Sequence, residues 1–227
     1  MFKPNQPVPT HHVAGAMAAS LAASCFVVGF TVYATLLVQS GYADLGQNPA
    51  GQVQFMMAHE HLLQMWYGII YLLFGVCLAV LVPVLRTHVC YANTLLVETA
   101  SIFGLIWSAL VLSSGLLINV GMEQITTVYM HSQTQASTLW QALYAVLEGL
   151  GGGNELVGGL WILLISLAAR REVRFEGWLS LTGIIVGAAG VCTTLPGLQG
   201  LEAIFGLGAI VWFGGIAVSI LNSAVDQ

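Results

Sequence analysis

Four carboxylates lie inside long apolar segments and are the residues best placed to do chemistry: Glu98, Glu148, Glu155 and Glu202. An ionisable group at membrane depth is energetically costly and usually faces protein or water, so each marks a candidate site. Glu148 and Glu155 are seven residues apart, which is about two helical turns and brings both to one helix face. Carboxylates that lie close together cannot all ionise, so at least one would keep a proton near neutral pH. The pattern indicates a proton-linked site or, equally, a neutral acid with a structural role.

Three further polar residues extend this candidate site. Asn154 precedes Glu155, and His61 and Gln64 lie three residues apart on one face of another apolar segment. The helical rise of about 1.5 Å per residue, counted from the charged cluster at 170–174, places Glu155 in the outer half of the membrane. The predicted substrate or proton site consists of Glu148, Asn154, Glu155, Glu202, Gln64 and His61.

The segment 149–155 reads Gly-Leu-Gly-Gly-Gly-Asn-Glu, and this is unusual because each glycine weakens a helix by about 1 kcal/mol relative to alanine. Two explanations stay open. The glycines allow neighbouring helices to approach closely, or the helix breaks and its backbone carbonyls line a binding cavity.

A second candidate site combines histidine and methionine: His59, His61 and His131 with Met56 or Met57. Imidazole and thioether ligands suit copper. On a helix the side chains of His59 and His61 would point about 200° apart, so only an extended segment would align them on one ion. Copper is the only metal that this pattern suggests, and no other cofactor is predicted.

Several enzyme classes lack the motifs that they need. The sequence His-Glu-His-Leu-Leu at 59–63 lacks the second histidine of a zinc protease, and the Gly-x-Ser-x-Gly motif of serine hydrolases does not occur. The single lysine is Lys3, which excludes a retinal protein, and every histidine lies at the edge of an apolar segment or in a connection, which disfavours buried haem. The residues therefore argue against catalysis.

The composition indicates an integral membrane protein. Hydrophobic residues make up 57% of the 227 residues and charged residues 7%, whereas soluble proteins carry about 25% charged residues. Five basic residues and a net charge of −5 exclude nucleic-acid binding through a basic face. Membrane lipids are therefore the expected surroundings of the chain.

Six apolar segments are long enough to cross a hydrocarbon core of about 30 Å as helices. They cover residues 13–38, 62–85, 94–120, 138–169, 178–195 and 198–221. Helices are expected because backbone amides in lipid must be paired within the segment or in a closed barrel, and the alternating pattern of a barrel is absent. The predicted fold is an all-α bundle of six transmembrane helices in a single domain, in which 41–51 and 121–137 are outer connections.

All basic residues fall on one side of this topology: Lys3, Arg86, Arg170, Arg171 and Arg174. Basic residues in short loops are retained on the cytoplasmic side of a membrane. We therefore expect a multi-pass membrane protein with both termini in the cytoplasm.

Two stretches carry a family resemblance: GLGGGNELVGGLWILLISLAARR at 149–171 and PGLQGLEAIFGLGAIVWF at 196–213. They resemble a family of bacterial six-span membrane proteins classed as a domain of unknown function. The resemblance covers somewhat more than the C-terminal half of the chain and reaches the first span only by pattern. It implies about six helices in the cytoplasmic membrane, and it brings no known activity, cofactor or catalytic residue.

Small residues recur at helix-packing spacing in 14–22, 183–187 and 206–215, either for contacts within one bundle or as the seam of a homo-oligomer. Together with the missing enzyme motifs, they favour a non-catalytic structural or accessory membrane protein that self-associates or attaches to a larger membrane complex. One alternative is a small-solute or proton-coupled carrier that uses the outer-half carboxylates. The other is an outer-surface copper-binding protein.

Overall fold

The computed structural model describes residues 10–42, 48–89, 94–171 and 175–225. These residues are almost entirely helical and include no strand, which confirms the prediction of an all-α protein. Lys3 and Arg174, two of the basic residues used to orient the chain, lie outside the described ranges.

The described helices follow one another along the chain as α1 (Thr10–Val32), α2 (Pro49–Ala58), α3 (Glu60–Tyr67), α4 (Phe74–Val89), α5 (Thr94–Tyr129), α6 (Gln133–Arg171), α7 (Gly177–Cys192) and α8 (Glu202–Val225). A π-helical turn at Tyr33–Leu37 prolongs α1, and another at Gly68–Leu73 joins α3 to α4. Such turns are rare and often occur near functional sites.

Five of the described helical segments are long and apolar enough to cross a membrane: Thr10–Leu37, Glu60–Val89, Leu95–Tyr129, Gln133–Arg170 and Glu202–Ser223. The chain thus has the architecture of a multi-pass helical membrane protein. The segment predicted as the fifth of six spans, 178–195, corresponds to α7, which has 16 residues. At about 1.5 Å per residue this helix measures about 24 Å, which is shorter than a hydrocarbon core of about 30 Å.

In two of the predicted connections, helix ends lie beyond the apolar segments that the sequence marks. The predicted connection 121–137 is mostly helical, because α5 continues to Tyr129 and α6 begins at Gln133. Ser132 caps α6 by accepting the backbone N–H of Gln135 on its hydroxyl at 3.3 Å. In the predicted connection 41–51, α2 already begins at Pro49. Hydropathy predicts where the hydrocarbon core ends, and a polar helix end can continue past that point.

The chain divides into two compact units, of which the first comprises Met1–Ser24, Cys77–Trp107 and Glu155–Gln227. Glycines bring its helices into direct contact. A Cβ on Gly187 of α7 would lie 2.5 Å from the backbone nitrogen of Leu163 on α6. Large aromatic side chains fill its interior: Trp107, Trp161, Trp212 and Phe213.

The second unit comprises Cys25–Val76 and Ser108–Asn154. The Ser108 hydroxyl joins α5 to α4 by donating to the backbone oxygen of Gly75 at 2.7 Å. Its buried core draws on α2, α3, α5 and α6 and on the segment that follows α1: Leu37, Tyr42, Val53, Met56, Leu63, Tyr67, Ile118, Met122, Ile125, Ala136 and Trp140.

The outward face of α8 is apolar, as contact with lipid requires. Its exposed side chains recur every three or four residues or at twice that interval: Ile204, Leu207, Val211, Val218 and Leu221. A helix of a soluble protein would place charged and polar residues on that face.

Candidate functional site

Glu98, the first of the candidate carboxylates, forms an ion pair with Arg86. Its oxygens accept hydrogen bonds from Arg86 Nε at 3.0 and 3.1 Å and from a terminal guanidinium nitrogen at 2.5 Å. The two side chains are 47% and 38% exposed, so the pair contributes little to stability. This pair joins α4 to α5 and gives the Glu98 carboxylate a structural role.

Glu155 is half-buried on α6 and meets the end of α7. The Thr193 hydroxyl lies 3.5 Å from Glu155 Oε2 and 2.7 Å from the backbone oxygen of Gly190. A hydroxyl has one proton, so the shorter contact takes the donation and the contact with the carboxylate is weak. A Cβ on Gly190 would lie 2.8 Å from the backbone oxygen of Glu155. The carboxylate therefore lies where α6 and α7 are tightly packed.

The other predicted residues of the carboxylate site have different surroundings. Glu148 in the second unit and Glu202 in the first unit are exposed. Asn154, in the second unit, is half-buried, and its Oδ1 accepts no hydrogen bond from a described residue. On α3, His61 is exposed, and Gln64 donates to Glu60 of the same helix at 3.5 Å. The predicted residues thus divide between two units and between exposed and half-buried positions.

The glycine run 149–155 does not interrupt α6, which is one continuous helix from Gln133 to Arg171. The alternative of a broken helix is therefore wrong. Two glycines beyond the run serve close packing. A Cβ on Gly158 would lie 2.6 Å from the Trp107 ring, and one on Gly159 would lie 2.7 Å from the backbone oxygen of Gly187.

The residues of the predicted copper site occupy several environments. Met56 is fully buried in the core of the second unit, and Met57 is half-buried. His59 lies between α2 and α3 with Nδ1 bonded to a backbone oxygen one turn earlier. His61 and His131 are exposed. In the part of the chain that the structure describes, no three His, Cys, Asp or Glu side chains lie close enough to hold a metal ion together.

A buried polar cluster in the second unit escaped prediction from the sequence; it consists of Tyr42, Gln52, Tyr67 and Trp140. Gln52 is 4% exposed. Its Nε2 donates to the backbone oxygen of Tyr42 at 3.1 Å, and its Oε1 accepts the Trp140 indole N–H at 2.8 Å. The hydroxyl oxygens of Tyr42 and Tyr67 are 3.2 Å apart. The buried amide is thus paired at both ends, as its burial requires.

Burial raises the pKa of the Tyr42 hydroxyl to about 12, and the hydrogen bond with Tyr67 acts in the opposite direction. The phenolate would lose its hydration in this apolar core, so the neutral form is favoured. Tyr42 therefore stays protonated at neutral pH and serves as a hydrogen-bonding group. The polar cluster is a structural network that holds α2, α3 and α6 together.

A polar cavity of about 290 Å³ lies where the start of α2 meets the end of α5 and the start of α6. We call it the amide-lined cavity, and its lining residues are Asn48, Ala50, Gly51, Gln54, Tyr129, Gln133 and Ser137. None of these side chains carries a charge. Gln133 Nε2 donates to the Tyr129 hydroxyl at 3.2 Å, across the turn between α5 and α6.

One sequence signal could have located this region. Asn48 followed by Pro49 is typical of a helix start, since asparagine caps the first turn and proline suits its first position. The structure shows this cap, in which Asn48 Oδ1 accepts the backbone N–H of Gly51 at 2.9 Å. The pairing of Gln52 with Trp140 has no local signal, because the two residues are 88 positions apart.

Comparison with known proteins finds no match to a protein-family model, a curated protein or a solved structure.

Proposed function

We propose that this chain is a non-catalytic accessory protein of the bacterial cytoplasmic membrane that associates with another transmembrane helix through α1. The observation that carries the proposal is the exposure of the first span. In the most apolar 18 residues of this span, 33% of the residues are buried. The same fraction is 44% to 50% in the other four spans. A helix that packs so little against its own chain is accessible to a second protein.

The exposed face of α1 has the chemistry of a helix–helix contact. Ser20, Ser24 and Thr31 are exposed on it. The Ser24 and Thr31 hydroxyls donate to backbone oxygens one turn earlier at 2.9 and 2.7 Å. Their polarity is satisfied within α1, and their small size permits close approach of a second helix. Large apolar side chains are exposed on the same helix, among them Val13, Met17, Leu21 and Val27, and they would contact the partner helix or lipid.

Native mass spectrometry of gently extracted protein tests this association. Ser24→Leu enlarges an exposed serine on α1, and Ser113→Leu makes the same change at an exposed serine on α5 as a matched control. Wild type and Ser113→Leu should appear as a homo-oligomer or bound to another membrane protein, whereas Ser24→Leu should appear mainly as a single chain. A wild-type protein that is strictly monomeric and free of partners contradicts the proposal.

The proposal includes six crossings with both termini in the cytoplasm. The placement of Arg86 and Arg170 near helix ends that this topology assigns to the inside supports it. In a cysteine-free background, a membrane-impermeant maleimide should label His131→Cys in intact cells and Arg170→Cys only after permeabilisation. The opposite labelling pattern contradicts the orientation.

A small-solute or proton-coupled carrier is the second candidate function, and the half-buried Glu155 favours it. A carboxylate within a span is a recurrent feature of proton-linked sites. Glu155→Gln should abolish proton-linked uptake in proteoliposomes without lowering folded yield, whereas Glu123→Gln, at an exposed position outside the predicted carboxylate site, serves as the control. Unchanged uptake by Glu155→Gln rules this function out.

A further inference from the structure

We propose that the amide-lined cavity binds an uncharged, polyhydroxylated ring of hexose size, either free in solution or as the headgroup of a glycolipid. This inference is independent of the association through α1, because the cavity is formed by α2, α5 and α6.

The lining of the cavity matches the chemistry of sugar hydroxyls. Three carboxamide side chains and two hydroxyl side chains line it: Asn48, Gln54, Gln133, Tyr129 and Ser137. A carboxamide offers both donors and an acceptor, so it can pair with a hydroxyl in either sense. A charged ligand would lose hydration at these walls without gaining a countercharge. The lining therefore favours a neutral ligand with several hydroxyl groups.

The hydrogen bonds that the lining residues already make leave several of their donors and acceptors available to a ligand. Asn48 uses Oδ1 to cap α2 at 2.9 Å, which leaves its NH₂ group as a donor. Gln133 uses Nε2 for the Tyr129 hydroxyl at 3.2 Å, which leaves Oε1 as an acceptor. Ser137 donates to the backbone oxygen of Gln133 at 2.9 Å, so its oxygen still accepts. The cavity thus presents both donors and acceptors.

The size of the cavity points to one ring. Its volume of about 290 Å³ lies near the lower end of small-molecule sites, which begin at about 300 Å³. The Tyr129 side chain adds an aromatic surface, against which the C–H face of a sugar can pack beside polar contacts.

Two of the helices that form the cavity are linked by a buried hydrogen bond. The hydrogen bond of 2.8 Å between Gln52 and Trp140 links α2 to α6, and each of these helices contributes lining residues. Gln52 follows Gly51 of the lining directly in sequence. A fixed distance between α2 and α6 reduces the entropy that binding must overcome.

Saturation-transfer NMR on the full chain in lipid nanodiscs tests the inference, with D-glucose as the soluble probe. We expect saturable binding with a Kd of about 1 mM. Gln133→Ala and Gln54→Ala should each weaken it about tenfold. Gln135→Ala is the matched control, because Gln135 is exposed at the start of the same helix and does not line the cavity. The thermal unfolding midpoint of each variant is measured beside its affinity.

A second experiment distinguishes a free sugar from a glycolipid headgroup as the source of the bound ring. Nanodiscs that contain a monoglucosyl diacylglycerol should compete with D-glucose if the headgroup enters the cavity, and they should leave its binding unchanged if only the free sugar does. Absence of saturable glucose binding together with absence of glycolipid binding overturns the inference. Loss of affinity in Gln135→Ala equal to that in Gln133→Ala, or preferential binding of inorganic phosphate, overturns it as well.

Discussion

Trp140 donates its indole N–H to the side-chain oxygen of Gln52 at 2.8 Å, across 88 residues of sequence. Both side chains are buried, with 2% and 4% of their surface exposed. Gln52 belongs to α2, a helix of 10 residues, which is too short to be stable on its own. The bond to the long helix α6 therefore fixes α2 within the second unit.

Gln52→Leu should destabilise the protein by about 1–3 kcal/mol, because the Trp140 N–H would stay buried without an acceptor. The measurement is the free energy of unfolding in mixed micelles. Gln54→Leu, two residues later on the exposed side of α2, is the control and should change it little. Equal losses in the two variants would show that the buried bond contributes nothing specific.

Gly187→Ala should destabilise the first unit by about 1–3 kcal/mol, since overpacking forces the backbone to shift. The added Cβ would lie 2.5 Å from the backbone nitrogen of Leu163 and 2.6 Å from the backbone oxygen of Gly159. Gly214→Ala on α8 is the matched control, because nothing lies within 4 Å of its Cβ position. The control should be neutral or stabilising by up to about 1 kcal/mol, given the helix propensity of alanine. Comparable thermal unfolding midpoints for the two variants would contradict the close packing of α6 and α7.

Tyr42 should make the protein less stable at high pH. Its pKa in the folded chain is raised from 10.0 to about 12, so its contribution to stability is complete below pH 10. Between pH 10 and 12 the unfolded chain loses the proton first, and stability falls as the pH rises. Tyr42→Phe should reduce this loss by about 2–3 kcal/mol. The check is the free energy of unfolding measured across this range, where parallel curves for wild type and variant would refute the prediction.

Glu98→Gln should cost less than about 1 kcal/mol, because the ion pair with Arg86 is largely solvated. The small loss should shrink as salt is added, since salt screens exposed charges. The observable is the unfolding midpoint at low and high salt. Glu123→Gln, at an exposed position on α5, controls for removal of a charge and should show no such salt dependence. A loss of several kcal/mol in the free energy of unfolding would contradict the description of Glu98 and Arg86 as a largely solvated ion pair.

Much of the secondary structure could be predicted from the lengths of the apolar segments. Four of the six predicted spans correspond to helical segments that are longer than predicted. The last predicted span, 198–221, corresponds to α8, which begins at Glu202. The differences lie at polar helix ends, such as the end of α5 at Tyr129 and the start of α6 at Gln133, since lipid contact selects apolar residues only within the hydrocarbon. The segment 178–195 has the composition of a span, and its helix ends at Cys192.

The candidate sites could be predicted less well from the sequence, because the polarity of a residue does not show which groups its side chain will contact in the folded chain. Glu98 was singled out together with Glu155, yet one pairs with Arg86 at the surface and the other lies half-buried between two helices. Gln52 was not singled out, although it is the buried centre of the polar cluster.

The sequence alone determined the helical architecture of this protein and its expected place in a membrane, because a span needs mostly apolar side chains and a backbone paired within its own segment. Tertiary structure alone decided which glycines pack against which backbone, that Gln52 meets Trp140, and that polar side chains from three helices line one cavity. Those relationships depend on contacts between residues far apart in the chain, and the local pattern around each residue is compatible with many partners.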